Sequence, residues 1–172
     1  MIKDISLREI TAYDLELIRF WRNKDHVRKQ MNSSDLIKSE DQKKWYSKLI
    51  KKLNFIFIYS EGDIDVGVVA CKIIDVSKGV FDIGIYCGNE EYLGSSINFL
   101  SIIKIHDFAF EKLNLKKSIT TIKNDNISVI KINTRVGYKY SKKINKDFDE
   151  YHLKKKNYFE SRQKLNKFII GF

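Results

Sequence analysis

The chain has 172 residues, of which 43% are hydrophobic and 13% aromatic, a composition that suits one domain with one core and excludes a disordered chain. Its formal net charge of +10 favours anionic partners, among them coenzymes and nucleotide-sugars as well as nucleic acids. Because no Pro, repeat or linker-like stretch divides the sequence, we predict a single domain over residues 1–172.

The first third of the chain is predicted to contain one strand followed by helices. Residues 2–10 favour a strand. Thr11 lies three residues before Asp14, a variant capping box in which each side chain can satisfy a backbone donor of the other residue. Apolar residues then follow at helical spacing as far as Trp21, so we expect a helix there.

From Asn54 the hydrophobic period changes from that of a helix to that of a strand. Aromatic and β-branched residues run from Asn54 to the turn at Glu61-Gly62-Asp63. Two more strands are predicted, near 64–74 and 79–87. Short turns between successive strands indicate an antiparallel meander.

A long, heavily buried helix is predicted to open at Gly94-Ser95-Ser96 and to run to about Leu113. The elements predicted after it are a strand at 117–123, a helix capped by Asn126 and ended by Gly137, strands at 138–144 and 149–157, and a closing helix at 160–172. The predicted fold class is α+β, with a mixed, mostly antiparallel central sheet of about seven strands and helices on both faces.

The loop before the long helix is the clearest candidate site. Small residues at Gly94, Ser95 and Ser96 let backbone N–H groups and the positive end of the helix dipole approach a phosphate. Gly and Ser also begin many helices for structural reasons alone, so the loop by itself leaves both interpretations open. A Walker loop and a dinucleotide fingerprint are both absent from the sequence.

This loop resembles the coenzyme-binding motif of the GNAT superfamily of N-acetyltransferases, Q/R-x-x-G-x-G/A. The matching stretch is 91–96, in which Gly94 is in place. Glu91 replaces the basic or amide residue, and Ser96 replaces the final small one. A carboxylate near phosphates repels them unless it points away or pairs with a cation, so Glu91 weakens the expected coenzyme affinity.

A second stretch, 126–138, is similar to the later GNAT motif N-x-x-A-I-x-x-Y-x-x-x-G-F. The residues in register are Asn126, Ile130, Gly137 and Tyr138. Val129 replaces the Ala, and Asn133 replaces the Tyr that protonates the departing thiolate in many family members. The resemblance covers roughly residues 5–145 by the order of its motifs.

The run Trp21-Arg22-Asn23, followed by Arg28, is similar to a narrower GNAT branch. That branch contains the ribosomal-protein alanine N-acetyltransferases and, closer still, the nucleotide-sugar 4-amine N-acetyltransferases of the pseudaminic acid pathway. The resemblance implies that these four residues contact the acceptor. Arg can donate two hydrogen bonds to a phosphate, and Trp offers a stacking face. In the alternative interpretation, Trp21 is core and the arginines are ordinary surface residues.

The resemblance also implies direct attack of a neutral amine on the thioester of acetyl-coenzyme A, without an acyl-enzyme and with positioning as a main source of rate. Cys87 is then a strand-end residue and not an acyl carrier. The coenzyme-binding residues that the resemblance implies are Ile85, Tyr86, Cys87, Leu93, Gly94, Ser95, Ser96 and Asn126.

The acceptor amine must lose its proton before attack, so a base or a water chain is required. Asp82 is the candidate base, against the alternative of a solvent-facing strand carboxylate. Asn133 can orient a water but cannot act as an acid near neutral pH. Tyr138 and Tyr86 are candidate acids in its place, although aromatic strand residues more often belong to the core.

Of the two acceptors that the resemblance implies, the +10 charge and the two arginines favour the nucleotide-linked amino sugar. A protein N-terminus would call for an acidic groove instead. A basic nucleic-acid-binding domain lacks the alternation of aromatic and basic residues on a strand, so we expect no nucleic acid partner. A GNAT domain that binds the coenzyme without catalysis also stays open, given Glu91 and Asn133.

The remaining expectations concern redox state, metals and location. Two cysteines are too few for a disulfide framework, and the three histidines share no ligand spacing, so we expect free thiols and no metal. No apolar run approaches the roughly 20 residues that cross a bilayer. We expect a cytoplasmic protein without a membrane span, and the oligomeric state stays open, a homodimer included.

Overall fold

The computed structural model describes residues 5–31 and 33–169. Within them, seven strands form one open sheet in the order β1-β2-β3-β4-β5-β7-β6. The strands are β1 (Ile5–Glu9), β2 (Asn54–Glu61), β3 (Ile64–Asp75), β4 (Val80–Cys87), β5 (Lys117–Lys123), β6 (Lys139–Lys143) and β7 (Phe148–Lys154). The helices are α1 (Leu15–Asn23), α2 (Asp25–Arg28), α3 (Ser39–Ser47), α4 (Ser96–Asp107), α5 (Ile127–Val136) and α6 (Lys155–Ile169).

The sheet is mixed. β1 pairs with β2, β2 with β3, β5 with β7 and β6 with β7, all antiparallel. β4 pairs with β5 in parallel, through Val80 opposite Lys117 and Phe81 opposite Ser118. The predicted α+β class with a mixed, mostly antiparallel sheet of seven strands is confirmed.

The chain groups into two compact units. We call residues 5–72 and 84–102 the N-terminal unit, and residues 73–83 and 103–169 the C-terminal unit. The single domain expected over residues 1–172 stays a prediction.

The core of the N-terminal unit follows from two sequence periods. The helical spacing of α1 buries Ile18 and Trp21, and the alternation of β2 buries Ile56 and Ile58 against them. The α1 helix is preceded by a short 3-10 turn at Ala12–Asp14, where the Asp14 carboxylate accepts a hydrogen bond from the Thr11 amide at 2.8 Å. This is the half of the predicted capping box in which Asp14 is the acceptor.

The C-terminal unit is built round an aromatic cluster. Phe81 and Phe110 meet edge to face with ring centroids 5.0 Å apart, and the rings of His106 and Tyr158 stack at 5.4 Å. The α4 helix continues into a π-helical turn at Phe108–Lys112, which the sequence did not indicate. The α5 helix ends at Gly137, whose φ of +110° is the left-handed cap that was predicted.

The last helix begins earlier than predicted. The strand expected at 149–157 ends at Lys154, and α6 starts at Lys155. The reason is the packing of Tyr158, which is fully buried in the aromatic cluster and donates from its hydroxyl to Asp107 Oδ1 at 2.5 Å. A tertiary contact of this kind overrides the strand propensity of the residues before it.

Cys71 and Cys87 are free thiols, as predicted. No helix in the described part of the chain is long and apolar enough to cross a bilayer. Among residues 5–31 and 33–169, no three His, Cys, Asp or Glu side chains are grouped as ligands of a metal ion would be.

Candidate active site

The end of β4 and the segment after it form the candidate coenzyme site of the N-terminal unit. β4 ends at Cys87, and the amides of Gly88 and Asn89 both donate to the carbonyl of Val66 at 2.9 Å. A short 3-10 turn follows at Glu90–Tyr92, capped by the Asn89 side chain. The α4 helix then begins at Ser96, as predicted from the small residues there.

Gly94 gives this segment its shape. Its φ of +75° lies in the left-handed region that glycine adopts at little cost, and apart from its chain neighbours no described residue has an atom within 4 Å of where a Cβ would stand. The amides of Leu93 and Ser95 already donate to Glu90 and Tyr92, at 3.1 and 3.0 Å. Within the described residues, the amides of Gly94 and Ser96 donate to no protein acceptor, so the segment combines open space with free donors, as a phosphate requires.

The two acidic residues of the segment are exposed. Glu91, which departs from the family motif, has its side chain in solvent. Glu90 forms an ion pair with Lys24 at 3.0 Å, and the hydrogen bond from this ammonium group lowers the pKa of the Glu90 carboxyl. Exposure and pairing both reduce the repulsion that these carboxylates would exert on a phosphate.

Trp21 is held by the glycine that follows β4. Its side chain is buried, and a Cβ on Gly88 would lie 2.1 Å from the indole Cδ2. The indole therefore packs directly on the backbone of the strand end. The structure places Trp21 in the core, which is the alternative that the sequence left open.

Arg22 is a partly buried cation that has no carboxylate partner among the residues that the structure describes. Its Nη2 atom donates to the Ser33 carbonyl at a long 3.4 Å, and its Nη1 atom is buried without a hydrogen-bond partner. Burial lowers the pKa of the Arg22 guanidinium, an effect that the nearby Tyr86 phenol opposes. A buried donor on a charged group is costly when unpaired, so this guanidinium has capacity for an anion.

Asn23 and Arg28 hold the backbone of the segment 33–37. Asn23 both donates to and accepts from Ile37, at 2.9 and 2.8 Å. Arg28 donates to the Ser34 carbonyl at 3.0 Å and to Asp25 at 2.7 Å, while its Nε atom is buried without a partner. Of the four residues predicted to contact the acceptor, Arg22 and Arg28 thus keep a free donor each, whereas the Asn23 amide is occupied by Ile37.

His26 also contacts the end of β4, although no motif in the sequence singles it out. Its Nε2 atom lies 3.0 Å from the carbonyl oxygen of Cys87. Burial raises the pKa of the Cys87 thiol, an effect that the nearby polar groups of Tyr59 and Asn98 oppose. A thiol with a raised pKa is a poor nucleophile, which agrees with the expectation that Cys87 is no acyl carrier.

The C-terminal unit contains the other predicted site residues. Asp82 is half-buried on β4, and Asn133 is half-buried on α5. Asn126 caps α5, because its side-chain oxygen accepts from the Val129 amide at 3.2 Å. The Tyr138 side chain is buried, with its hydroxyl 2.9 Å from His106 Nε2 and 2.7 Å from Ser118 Oγ.

Comparison with known proteins decides the family. Residues 4–139 match the family model described as the acetyltransferase (GNAT) domain. The chain belongs to the GNAT acetyltransferase family. A search of curated proteins gives no match.

Solved structures show the GNAT fold in several proteins of low sequence identity. A domain from Methanocaldococcus jannaschii DSM 2661 superposes with a TM-score of 0.77 at 24% identity, over 88% of this chain and 99% of that chain. The spermidine N-acetyltransferase from Vibrio cholerae in complex with CoA and spermine gives a TM-score of 0.80 at 17% identity, over 90% and 98%. The aminoglycoside acetyltransferase AAC(6')-Ib in complex with coenzyme A gives 0.80 at 16% identity, over 92% and 99%.

In this GNAT acetyltransferase, the sequence did not reveal the side chains that contact the backbone of the candidate site from the protein interior. His26, Tyr59 and Asn98 all contact the candidate coenzyme-binding segments or each other. One signal was present, because Asn98 is a lone amide inside the apolar run 97–103. Neither Tyr59 nor His26 belongs to a motif, so only the folded chain shows what they contact.

Proposed function

We propose that this GNAT acetyltransferase transfers an acetyl group from acetyl-coenzyme A to the primary amine of a nucleotide-linked amino sugar. The acceptor proposal is supported by Arg22, a partly buried guanidinium that has, within the described part of the chain, an unpartnered Nη1 atom and no carboxylate beside it. The diphosphate of a nucleotide-sugar would supply the missing acceptors.

The donor side of the proposal rests on the segment from Cys87 to Ser96. An open approach at Gly94 and the free amides of Gly94 and Ser96 suit the pyrophosphate of acetyl-coenzyme A. The backbone of Ile85, Tyr86 and Cys87 is proposed to pair with pantetheine. Contacts through the backbone tolerate the substitutions at Glu91 and Ser96, because side-chain identity matters little to them.

The acceptor differs in charge from those named for the similar structures. Spermine and aminoglycosides are polycations at neutral pH, and sites for them need carboxylates. An unneutralised guanidinium at the proposed acceptor site repels such molecules and attracts an anionic carrier. The proposed acceptor is therefore anionic, whereas the acceptors named for the similar structures are cationic.

The proposed reaction is a direct transfer. The neutral amine nitrogen attacks the thioester carbonyl carbon, the carbon–sulfur bond breaks, and the departing thiolate takes a proton. Asp82 is the proposed proton acceptor, alone or through water, and Asn133 would orient a water. The buried contacts of Tyr138 with His106 and Ser118 favour a structural role for its hydroxyl over proton delivery to the thiolate.

The deciding experiment measures release of the free thiol of coenzyme A across a panel of acceptors. We expect turnover with a 4-amino nucleotide-sugar, and none with spermidine, kanamycin or ribosomal N-terminal peptides. Turnover with a peptide or a polyamine but not with the sugar would reject the acceptor. Calorimetry that detects no heat with acetyl-coenzyme A would reject the enzymatic proposal altogether. A cytoplasmic location stays a prediction beside it.

A further inference from the structure

One chain of hydrogen bonds joins the core strand β2 to the segment proposed to bind the coenzyme. Tyr59 is fully buried on β2, and its hydroxyl donates to Asn98 Oδ1 at 2.7 Å. Asn98 lies in the first turn of α4, and its Nδ2 atom donates to the Tyr92 carbonyl at 2.7 Å. Strand β2, whose Tyr59 lies 39 residues before Asn98, is thus linked to the turn at Tyr92 through a single amide group.

The direction of each bond in this chain is fixed. The Tyr92 carbonyl can only accept, so the nitrogen of the Asn98 amide must face it. The amide oxygen then faces Tyr59, whose hydroxyl must donate. The same Tyr92 carbonyl accepts the Ser95 amide at 3.0 Å, which closes the turn that contains Gly94. Asn98 therefore holds the carbonyl oxygen on which this turn closes.

The chain also contacts the end of β4. The Tyr59 hydroxyl lies 3.5 Å from the Tyr86 carbonyl oxygen. The space around it is closely packed, because a Cβ on Gly67 would lie 2.3 Å from the Tyr86 oxygen and 2.7 Å from the Tyr59 hydroxyl. The phenol of Tyr59 therefore packs against the end of β4, while its hydroxyl donates to Asn98, the residue that holds the Gly94 loop.

We infer that Tyr59 and Asn98 are positioning residues, which set the spacing between the end of β4 and the Gly94 loop so that both segments fit one acetyl-coenzyme A molecule. This inference rests on the proposed function. A Phe at position 59 would fill the core equally well, so the role of the hydroxyl lies in its hydrogen bond to Asn98, which aligns the Gly94 loop. Neither side chain has to touch the coenzyme for this role.

The test uses two deletions and a matched control. Tyr59→Phe removes only the hydroxyl, and Asn98→Ala removes the amide while adding a good helix former. Tyr158→Phe is the control, because it also deletes a buried hydroxyl that is hydrogen-bonded, to Asp107 and the Ile103 carbonyl of the C-terminal unit. Steady-state kinetics with varied acetyl-coenzyme A and thermal unfolding are measured for all three.

We expect each deletion to raise KM for acetyl-coenzyme A about tenfold, with kcat within about twofold, which is the effect of one lost hydrogen bond. The double variant should be no worse than the stronger single one, because both deletions interrupt the same chain of bonds. Tyr158→Phe should lower Tm without changing this KM.

An unchanged KM in both deletions, or an equal rise in Tyr158→Phe, overturns the positioning role. If Tyr59→Phe does not fold, Asn98→Ala decides alone, since Asn98 is only partly buried. These results differ from failure of the proposed function, in which the wild-type protein itself binds no acetyl-coenzyme A in calorimetry.

Discussion

At the scale of single residues, the proposed role of Arg22 as an anion-binding group should come at the expense of stability. A partly buried guanidinium without a carboxylate beside it lowers stability relative to a neutral side chain of similar length. Its only hydrogen bond to the described residues is the long one to Ser33, so removing the charge sacrifices little within the protein.

Arg22→Gln should therefore leave Tm unchanged or raise it, while KM for the nucleotide-sugar rises about tenfold or more because a charge-assisted hydrogen bond is lost. KM for acetyl-coenzyme A should stay constant. Arg19→Gln, which removes the ion pair with Glu16 on the same helix and a long 3.5 Å contact with the Ile37 carbonyl, is the control and should change neither KM. If KM for the nucleotide-sugar were the same in Arg22→Gln and in the wild type, the proposed acceptor would be contradicted.

Gly94 and Gly84 form a natural pair for testing the coenzyme loop. At both positions a Cβ would have no atom of the described residues within 4 Å apart from its chain neighbours, yet of the two only Gly94 has a left-handed φ. Gly94→Ala should cost about 1 kcal/mol of unfolding free energy and weaken acetyl-coenzyme A binding, whereas Gly84→Ala should do neither. Urea denaturation and calorimetry measure the two effects. Equal behaviour of the two variants would mean that the loop conformation is unimportant.

At the scale of elements, α1 is attached to β4 by the contact between Trp21 and Gly88. Gly88→Ala would force the indole or the strand end to move, so we expect a loss of about 1–3 kcal/mol in urea denaturation. Trp21→Leu in the same chain should recover part of this loss by making room. No loss in the single variant would show that the contact can relax freely.

The turn between β3 and β4 depends on one carboxylate. Asp75 accepts from the Ser77 hydroxyl at 2.7 Å and from the Lys78 amide at 3.0 Å, and these hydrogen bonds lower its pKa to about 2. Because the folded pKa is depressed, the stabilisation is fully present above the ordinary pKa of about 3.9 and is lost as the pH falls towards 2.

The Tm difference between wild type and Asp75→Asn should therefore be largest from pH 5 to 7 and shrink between about pH 4 and 2. Asp63→Asn is the matched control, since no described residue donates to that carboxylate, and it should give a small difference at every pH. A difference between wild type and Asp75→Asn that persists unchanged to pH 2 would contradict the assigned hydrogen bonds.

The strands were predictable because their signals are local. The alternation from Asn54 and the short turns at Gly62 and Gly79 predict β2, β3 and β4 to within a residue or two. The start of α6 could not be predicted in this way, because it depends on the packing of Tyr158 against aromatic rings that are distant in the sequence.

The candidate site was predictable to the same extent. Gly94 and the start of α4 follow from local chemistry, whereas the burial of Trp21 depends on a glycine 67 residues later in the chain. Which guanidinium keeps a free donor depends likewise on which backbone carbonyls reach it.

At the scale of the whole molecule, the net charge of +10 is unevenly distributed. Residues 73–83 and 103–172 contain 18 lysines and arginines against 9 aspartates and glutamates. Residues 4–72 and 84–102 contain 13 of each. The surplus of positive charge thus lies in the C-terminal part of the sequence, whereas the segments proposed to bind the coenzyme and the acceptor belong to residues that have no net charge.

This distribution predicts a dependence on salt. KM for acetyl-coenzyme A and for a nucleotide-sugar should both rise several-fold between about 50 and 500 mM NaCl, as screening shortens the range of the positive field, while kcat changes little. Kinetics in sodium chloride and in an uncharged osmolyte of equal osmolality distinguish screening from general solvent effects. A flat salt response would show that the surplus lysines do not assist binding.

The two free cysteines have a practical consequence at the bench. Cys71 is fully buried, and Cys87 is half-buried with a thiol pKa raised by burial. Aromatic disulfide reagents, which are used to detect free thiols, react with thiolates, and neither cysteine readily provides an accessible thiolate at mildly alkaline pH. The colour would then come from the released thiol of coenzyme A alone. The background from the protein would be low enough to compare acceptors that react slowly.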